Sequence, residues 1–139
     1  MEYSAISEGD LESLGRLHSE YKLEIGEDRP SEREMGDLFD AIRRKDILFF
    51  GCYDDGRLVA CCSVSRVFST FDYKAGGVFE DFYILPEYRH RGIARDLVRY
   101  AYESSGISTM TVGCADCDRE MYRSLGFGTS LGNLLAYGG

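Results

Sequence analysis

The residues best suited to chemistry are Arg89, His90 and Arg91, followed at once by Gly92. They end an apolar run, Val78–Leu85, and precede a segment with helical spacing. A helix N-terminus leaves about four backbone N–H groups unpaired, and its dipole favours anions. Gly92 lets the backbone approach a ligand closely. The arginines and His90 add charge and donors, so the loop reads as a seat for a phosphate or diphosphate. It is not a P-loop, because Gly-x-x-x-x-Gly-Lys-Ser/Thr is missing, and it is not a dinucleotide fingerprint, because only one glycine stands in the turn. On the preceding run, strict alternation puts Glu80 on one face with Val78, Phe82 and Ile84, and Asp81 on the other. A carboxylate on so apolar a face would be partly desolvated and suited to proton abstraction.

These residues need elements to hold them. Glu2–Ile6 alternates as a short strand. Ser7 and Asp10 form an N-cap pattern before Leu11, Leu14, Leu17 and Tyr21, which recur at helical spacing. Ser31 and Glu34 make a capping box for a second helix carrying Met35, Leu38, Phe39 and Ile42. Ile47–Tyr53 and Leu58–Phe68 read as strands joined by a hairpin turn in which Gly56 supplies positive φ. A polar loop with Gly76-Gly77 leads into the strand Val78–Leu85, which Pro86 ends. Ile93, Leu97, Val98 and Ala101 line one face of a helix. Thr109–Cys114 is expected to be a strand, Asp118–Leu125 a short helix stopped by Gly126, and Leu131–Tyr137 a last strand. The order implies an α/β fold, a mixed sheet covered by helices.

The chain's 139 residues suit a single domain, which commonly runs about 100–150 residues. The start, MEYSAISEGD, has no basic or apolar signal-peptide region, and no run approaches about 18 apolar residues. A cytoplasmic location without membrane attachment is expected. Five cysteines without a secretory signal point to reduced thiols, expected to be small and buried. Cys114-Ala-Asp-Cys117 stands alone, short of the four ligands of a structural metal site. A net charge of −8 argues against nucleic acid as the main partner. Acidic residues crowd Glu8–Asp40 while arginines cluster from Arg89 to Arg99, an arrangement suited to a cationic acceptor and an anionic donor. His18, on the acidic helix, is expected to be a surface residue.

The loop, written Arg89-His90-Arg91-Gly92-Ile93-Ala94, resembles the acyl-CoA signature of the GNAT superfamily of N-acetyltransferases, Arg/Gln-x-x-Gly-x-Gly/Ala, with Ala94 in place of the commoner glycine. A second resemblance lies in Tyr122-Arg123-Ser124-Leu125-Gly126-Phe127, similar to the family's Tyr-x-x-Leu-Gly-Phe. The family's frequent Asn before the last helix is missing from Cys114–Arg119. The resemblance spans nearly the whole chain. It implies one domain over residues 1–139, with a mostly antiparallel sheet splayed in its middle. It implies acetyl-CoA as co-substrate, with Phe82, Tyr83 and Ile84 along the pantetheine arm and Arg89, His90, Arg91, Gly92, Ile93, Ala94 and Arg95 around the pyrophosphate. Tyr122 corresponds to the acid beside the sulfur; an ordinary phenol, with a pKa near 10, is protonated at neutral pH and can donate. Glu80 is the candidate base. The activity implied is acetyl transfer to a primary amine of a small molecule in a ternary complex. A protein or peptide acceptor, or a non-catalytic acyl-CoA-binding module, are the alternatives, and a homodimer is among the family's implications. No metal is expected.

Overall fold

Apolar runs between Leu48 and Ile84, buried continuously through most of the second and third strands, build the centre of the sheet. In a computed structural model, which describes residues 1–138, the strands are β1 (Glu2–Ala5), β2 (Leu48–Asp54), β3 (Arg57–Ser69), β4 (Lys74–Ile84) and β5 (Thr109–Thr111). They lie in sequence order; β1 to β4 pair antiparallel, and β5 joins β4 in parallel. The β2–β3 turn has Asp55 at φ 50° and Gly56 at φ 82°. Positive φ at both central residues is the hairpin geometry that matches strand twist.

Helices α1 (Leu11–Glu24) and α2 (Glu32–Arg43) separate β1 from β2, α3 (Ile93–Ser104) connects β4 to β5, and α4 (Arg119–Ser124) follows β5. The expected capping box is present: Ser31 Oγ accepts from the Glu34 amide at 3.1 Å, and Glu34 accepts from the Ser31 amide at 3.0 Å. Ser7 makes no such bond; a turn of 3₁₀ helix over Glu8–Asp10 leads into α1 instead. Helix α1 covers one face of β3 and β4, and α3 covers the other face of β2 and β3. The core between them includes Leu14, Val59, Val64, Phe79 and Leu97, all fully buried.

The structure corrects several sequence expectations. Gly76 and Gly77 lie inside β4 rather than in a loop. A Cβ at Gly77 would stand 2.7 Å from both Val64 and Ile107 side chains, so the glycine makes room where β4 meets β3 and β5. The strand expected at Thr109–Cys114 shortens to Thr109–Thr111. Residues 131–137 form no strand: Leu134 and Tyr137 are 90% and 105% exposed, so no face of the segment is buried to favour pairing. Cys52, Cys61 and Cys62 are buried thiols as expected, but Cys114 and Cys117 are exposed. No described helix is long and apolar enough to cross a membrane.

Gly77→Ala is expected to destabilise the fold by about 1–3 kcal/mol through overpacking. Gly36→Ala, on an exposed helix face where a Cβ meets nothing within 4 Å, is expected to stabilise it by roughly 0.5–1 kcal/mol. Urea denaturation of both variants measures the contrast.

Candidate active site

The site grows from the end of β4. The β3–β4 register passes from Ser63↔Glu80 to Cys61↔Tyr83, so β4 carries an extra residue, and Asp81 sits at φ 54°. Such a bulge bends a strand and re-aims its side chains. Asp81 therefore leaves the face expected for it: its carboxylate accepts a 2.7 Å hydrogen bond from Ser63 Oγ, on the α1 side of the sheet. Glu80, opposite Ser63, shares that side. Phe82 does not; its ring packs 5.3 Å from Phe79, away from α1. The bulge thus separates Glu80 from the Phe82 and Ile84 face that alternation had assigned it. Glu80 is also exposed, without the desolvation expected of it.

Beyond the bulge, β4 has a partner on one side only. β5 pairs with Gly76, Gly77 and Val78 and then diverges, leaving Phe79–Ile84 with an open edge. The gap continues as a groove of about 380 Å³. Phe82, Tyr83 and Ile84 form one wall, His90, Gly92, Ile93 and Ala94 the end, and Met121, Ser124 and Leu125 of the α4 region the other wall. The sequence picked out no residue of that far wall except through the tyrosine motif.

The groove ends on unpaired amides. Leu85, Tyr88 and Arg89 spend their N–H groups on nearby carbonyls, and Asp96 donates to Gly92 O. The amides of residues 90 to 95 have no backbone partner. His90 at φ 63° and Gly92 at φ 84° both adopt the left-handed conformation, which folds the loop over the start of α3. Successive amides turned this way form an anion-binding concavity, reinforced by the dipole of a full helix.

Of the three predicted arginines Arg89 lines the groove, and its side chain is already engaged. Arg89 is committed within the chain: Nε donates to Ile84 O at 2.8 Å, Nη2 contacts Glu24 Oε1 at 2.7 Å, and the guanidinium lies 5.5 Å from the Tyr83 ring centroid. It clamps the end of β4 to α1. Arg91 stacks over Tyr88 at 5.1 Å, and Arg95 donates to Ser124 O at 3.0 Å. Both are exposed and border the groove rather than line it. Tyr88 itself anchors the loop, donating to Asp54 Oδ2 at 2.6 Å. Nothing in the sequence signals the Glu24–Arg89 or Tyr88–Asp54 contacts, which join residues 65 and 34 positions apart.

Tyr122 is half-buried across the gap, with ring centroids 6.4 Å from Phe82 and 5.7 Å from Phe127. Gly126, at φ 113°, ends α4 and turns Phe127 back, so that its amide bonds Tyr122 O at 3.1 Å and its ring packs 5.5 Å from Phe79. This is the physical content of the Leu-Gly-Phe spacing. Burial, with Tyr21 next in effect, pushes the Tyr122 phenol up to about 12, so it holds its proton at neutral pH.

On the α1 side, His18 is buried, not on the surface as its acidic helix suggested, and its Nδ1 has no hydrogen-bond partner. Its ring packs against Tyr21 and Phe49. Burial holds its pKa below the usual imidazole range, against the opposing pull of Asp81. Tyr21 in turn lies 6.2 Å from Tyr83. Among the described residues, no group of His, Cys, Asp and Glu could hold a metal ion.

Comparison with known proteins follows the same lines. Residues 45–129 match a family model described as an acetyltransferase (GNAT) domain. No curated protein matches the chain. Among solved structures, a putative acetyltransferase from Agrobacterium tumefaciens superposes with a TM-score of 0.80 at 22% identity, covering 98% of this chain and 99% of that one. A Trypanosoma brucei acetyltransferase gives 0.72 at 25% identity, with 97% of each chain covered. An aminoglycoside acetyltransferase from an uncultured soil metagenomic sample, in complex with sisomicin, gives 0.82 at 14% identity, covering 98% and 93%.

Because His18 resists protonation in the folded state, the unfolded chain takes up that proton first as pH falls below about 6.5. The contribution is complete above that pH and is lost on acidification. His18→Phe is expected to flatten the fall in unfolding free energy between about pH 6.5 and 5. Urea titrations of both proteins across that range check it.

Proposed function

The chain belongs to the GNAT acetyltransferase domain family, and on that premise we propose that it moves an acetyl group from acetyl-CoA to a primary amine of a small cationic molecule, by direct attack in a ternary complex. Acetyltransferases of the family use acetyl-CoA; the acceptor and the route are our reading. One observation carries it: the groove beside the open edge of β4 runs into the free amides of residues 90 to 95.

In this reading the diphosphate rests on those amides and the α3 dipole. His90 and Arg91 add donors at the mouth. The pantetheine arm follows Phe82, Tyr83 and Ile84, using the edge hydrogen-bonding groups that β5 leaves free. The thioester then lies between Phe82 and Tyr122. An amide of the β4 edge receives the carbonyl oxygen as it becomes an oxyanion, a contribution of about 3–4 kcal/mol in comparable sites. The amine nitrogen forms the new bond to the acyl carbon, and the carbon–sulfur bond breaks. Tyr122 donates its proton to the departing sulfur. Glu80 takes the proton lost by the amine, directly or through a water.

The acceptor side favours positive charge. Glu80 and Asp81 stand on the α1 side of β4, near Tyr21, with Glu27 at the end of α1 adding to the field there. The cations nearby are answered within the chain: Lys22 pairs with Glu27 at 3.0 Å, and Arg89 with Glu24 at 2.7 Å. Net negative potential is left for an incoming ammonium. The likeness in shape to an aminoglycoside acetyltransferase solved in complex with sisomicin agrees with such an acceptor.

Thiol release from acetyl-CoA, followed against polyamines, aminoglycosides, amino acids and peptides, tests the proposal. Turnover is expected with a small polycationic amine; background rates across the whole panel would remove the reading. Tyr122→Phe is expected to lower kcat by roughly 10²–10⁴-fold with little change in KM for acetyl-CoA. Glu80→Gln is expected to depress kcat. Acetyl-CoA binding without any effect of either change on turnover would point to a chain that binds but does not use these groups.

A further inference from the structure

We propose that the cavity of about 540 Å³ at the other end of the strands is a second binding site, for an amphipathic monoanion: a carboxylate carried on an apolar chain. It lies apart from the donor groove. Its wall includes Leu48, paired with Val64 of β3, whereas the groove includes Ile84, paired with Ala60. Four residues of strand, about 13 Å, separate those levels, with further distance across the sheet.

The lining is largely apolar. Ile6, Leu11, Phe49 and Phe50 are buried core residues, the two phenylalanine rings turned to opposite faces of β2 onto His18 and Tyr100, and Ile42 of α2 is partly buried beside the cavity. Protein interiors normally pack to the density of organic crystals, with few voids larger than a water molecule. Here a cavity is left beside the end of an amphipathic helix. None of the side chains of α2 is fully buried; Leu38, Phe39 and Ile42 are partly buried against the core, and Phe39 and Met35 fill the hollow at Gly15. The volume falls within the roughly 300–1,000 Å³ of small-molecule pockets.

The rim is basic, although the chain carries a net charge of −8. Arg43, Lys45 and Arg66 come from the end of α2, the α2–β2 turn and the end of β3, and Glu8 is the one carboxylate among the lining residues. Arg43 answers Glu8 at 2.8 Å and Asp40 at 3.1 Å. No carboxylate in the described residues lies within salt-bridge distance of Lys45 or Arg66; Arg66 makes only a 3.4 Å contact to Gly106 O. Lys45 is held at φ 62°, beside the cavity, by bonds from its own amide and that of Asp46 back to α2. Two unanswered cations beside a largely apolar lining match a ligand with a charged head and an apolar tail. A phosphate alone would leave the lining wet, and a neutral chain would leave the cations unused.

The test uses the full chain with sodium octanoate as probe, in isothermal titration and in thermal unfolding. Saturable binding and a rising melting temperature are expected, with octanol and inorganic phosphate each failing at the same concentration. Arg66→Glu and Lys45→Asn, both at exposed positions, are expected to weaken octanoate about tenfold or more while leaving the ligand-free melting temperature unchanged. Ile42→Trp, which fills the cavity, is expected to abolish binding, and coenzyme A is expected not to compete. Absence of saturable binding, equal binding of octanol, affinity that survives both charge changes, or displacement of octanoate by coenzyme A each overturns the proposal. These results are independent of acetyl transfer at the groove.

Discussion

Everything at the candidate site depends on β4 losing its neighbour halfway along. Up to Val78 the strand is paired on both sides; from Phe79 onward it is paired only with β3. A central strand offers no free hydrogen-bonding groups, and an ordinary edge strand offers them to any passing chain. A strand that is central at one end and an edge at the other offers them inside a groove. Gly77 permits the close approach at the paired end, where a side chain would collide with Val64 and Ile107. At the open end Phe127, folded back by Gly126, packs on Phe79 and holds the far wall in place. Packing at its base therefore holds the gap.

The bulge at Asp81 is the second constraint, and it acts through side-chain direction. By adding one residue to β4 it keeps Glu80 and Asp81 on the α1 side while sending Phe82 to the other. Phe82 and Ile84 thus turn away from α1, while Glu80 and Asp81 stand on the side of the helix that ends at Glu24. Separation of this kind lets one strand present two surfaces of opposite character. The arginines take part unequally. Arg89, Arg91 and Arg95 each hold local structure through Ile84 and Glu24, Tyr88, and Ser124. The concavity at the start of α3 owes its form mainly to backbone amides.

The sequence by itself determined the elements whose causes are local. Apolar runs of strand length placed β2, β3 and the body of β4; the Ser31–Glu34 box placed the start of α2; Asp55-Gly56 placed the hairpin; Arg89–Ala94 marked the end of the groove and Tyr122–Phe127 its far wall. Each depends on neighbours within a few positions, so each is written in consecutive residues. Only the tertiary structure decided the rest. Whether Leu131–Tyr137 pairs depends on a free sheet edge offering it a buried face, and none is provided. Whether His18 is buried depends on Phe49 arriving from β2. The faces of Glu80, Asp81 and Phe82 depend on a bulge set by the pairing of β4 with β3, and the occupation of Arg89 depends on Glu24, 65 residues away. Side-chain direction and charge pairing are properties of contacts between distant segments, and a linear pattern carries no record of which distant segment will be there.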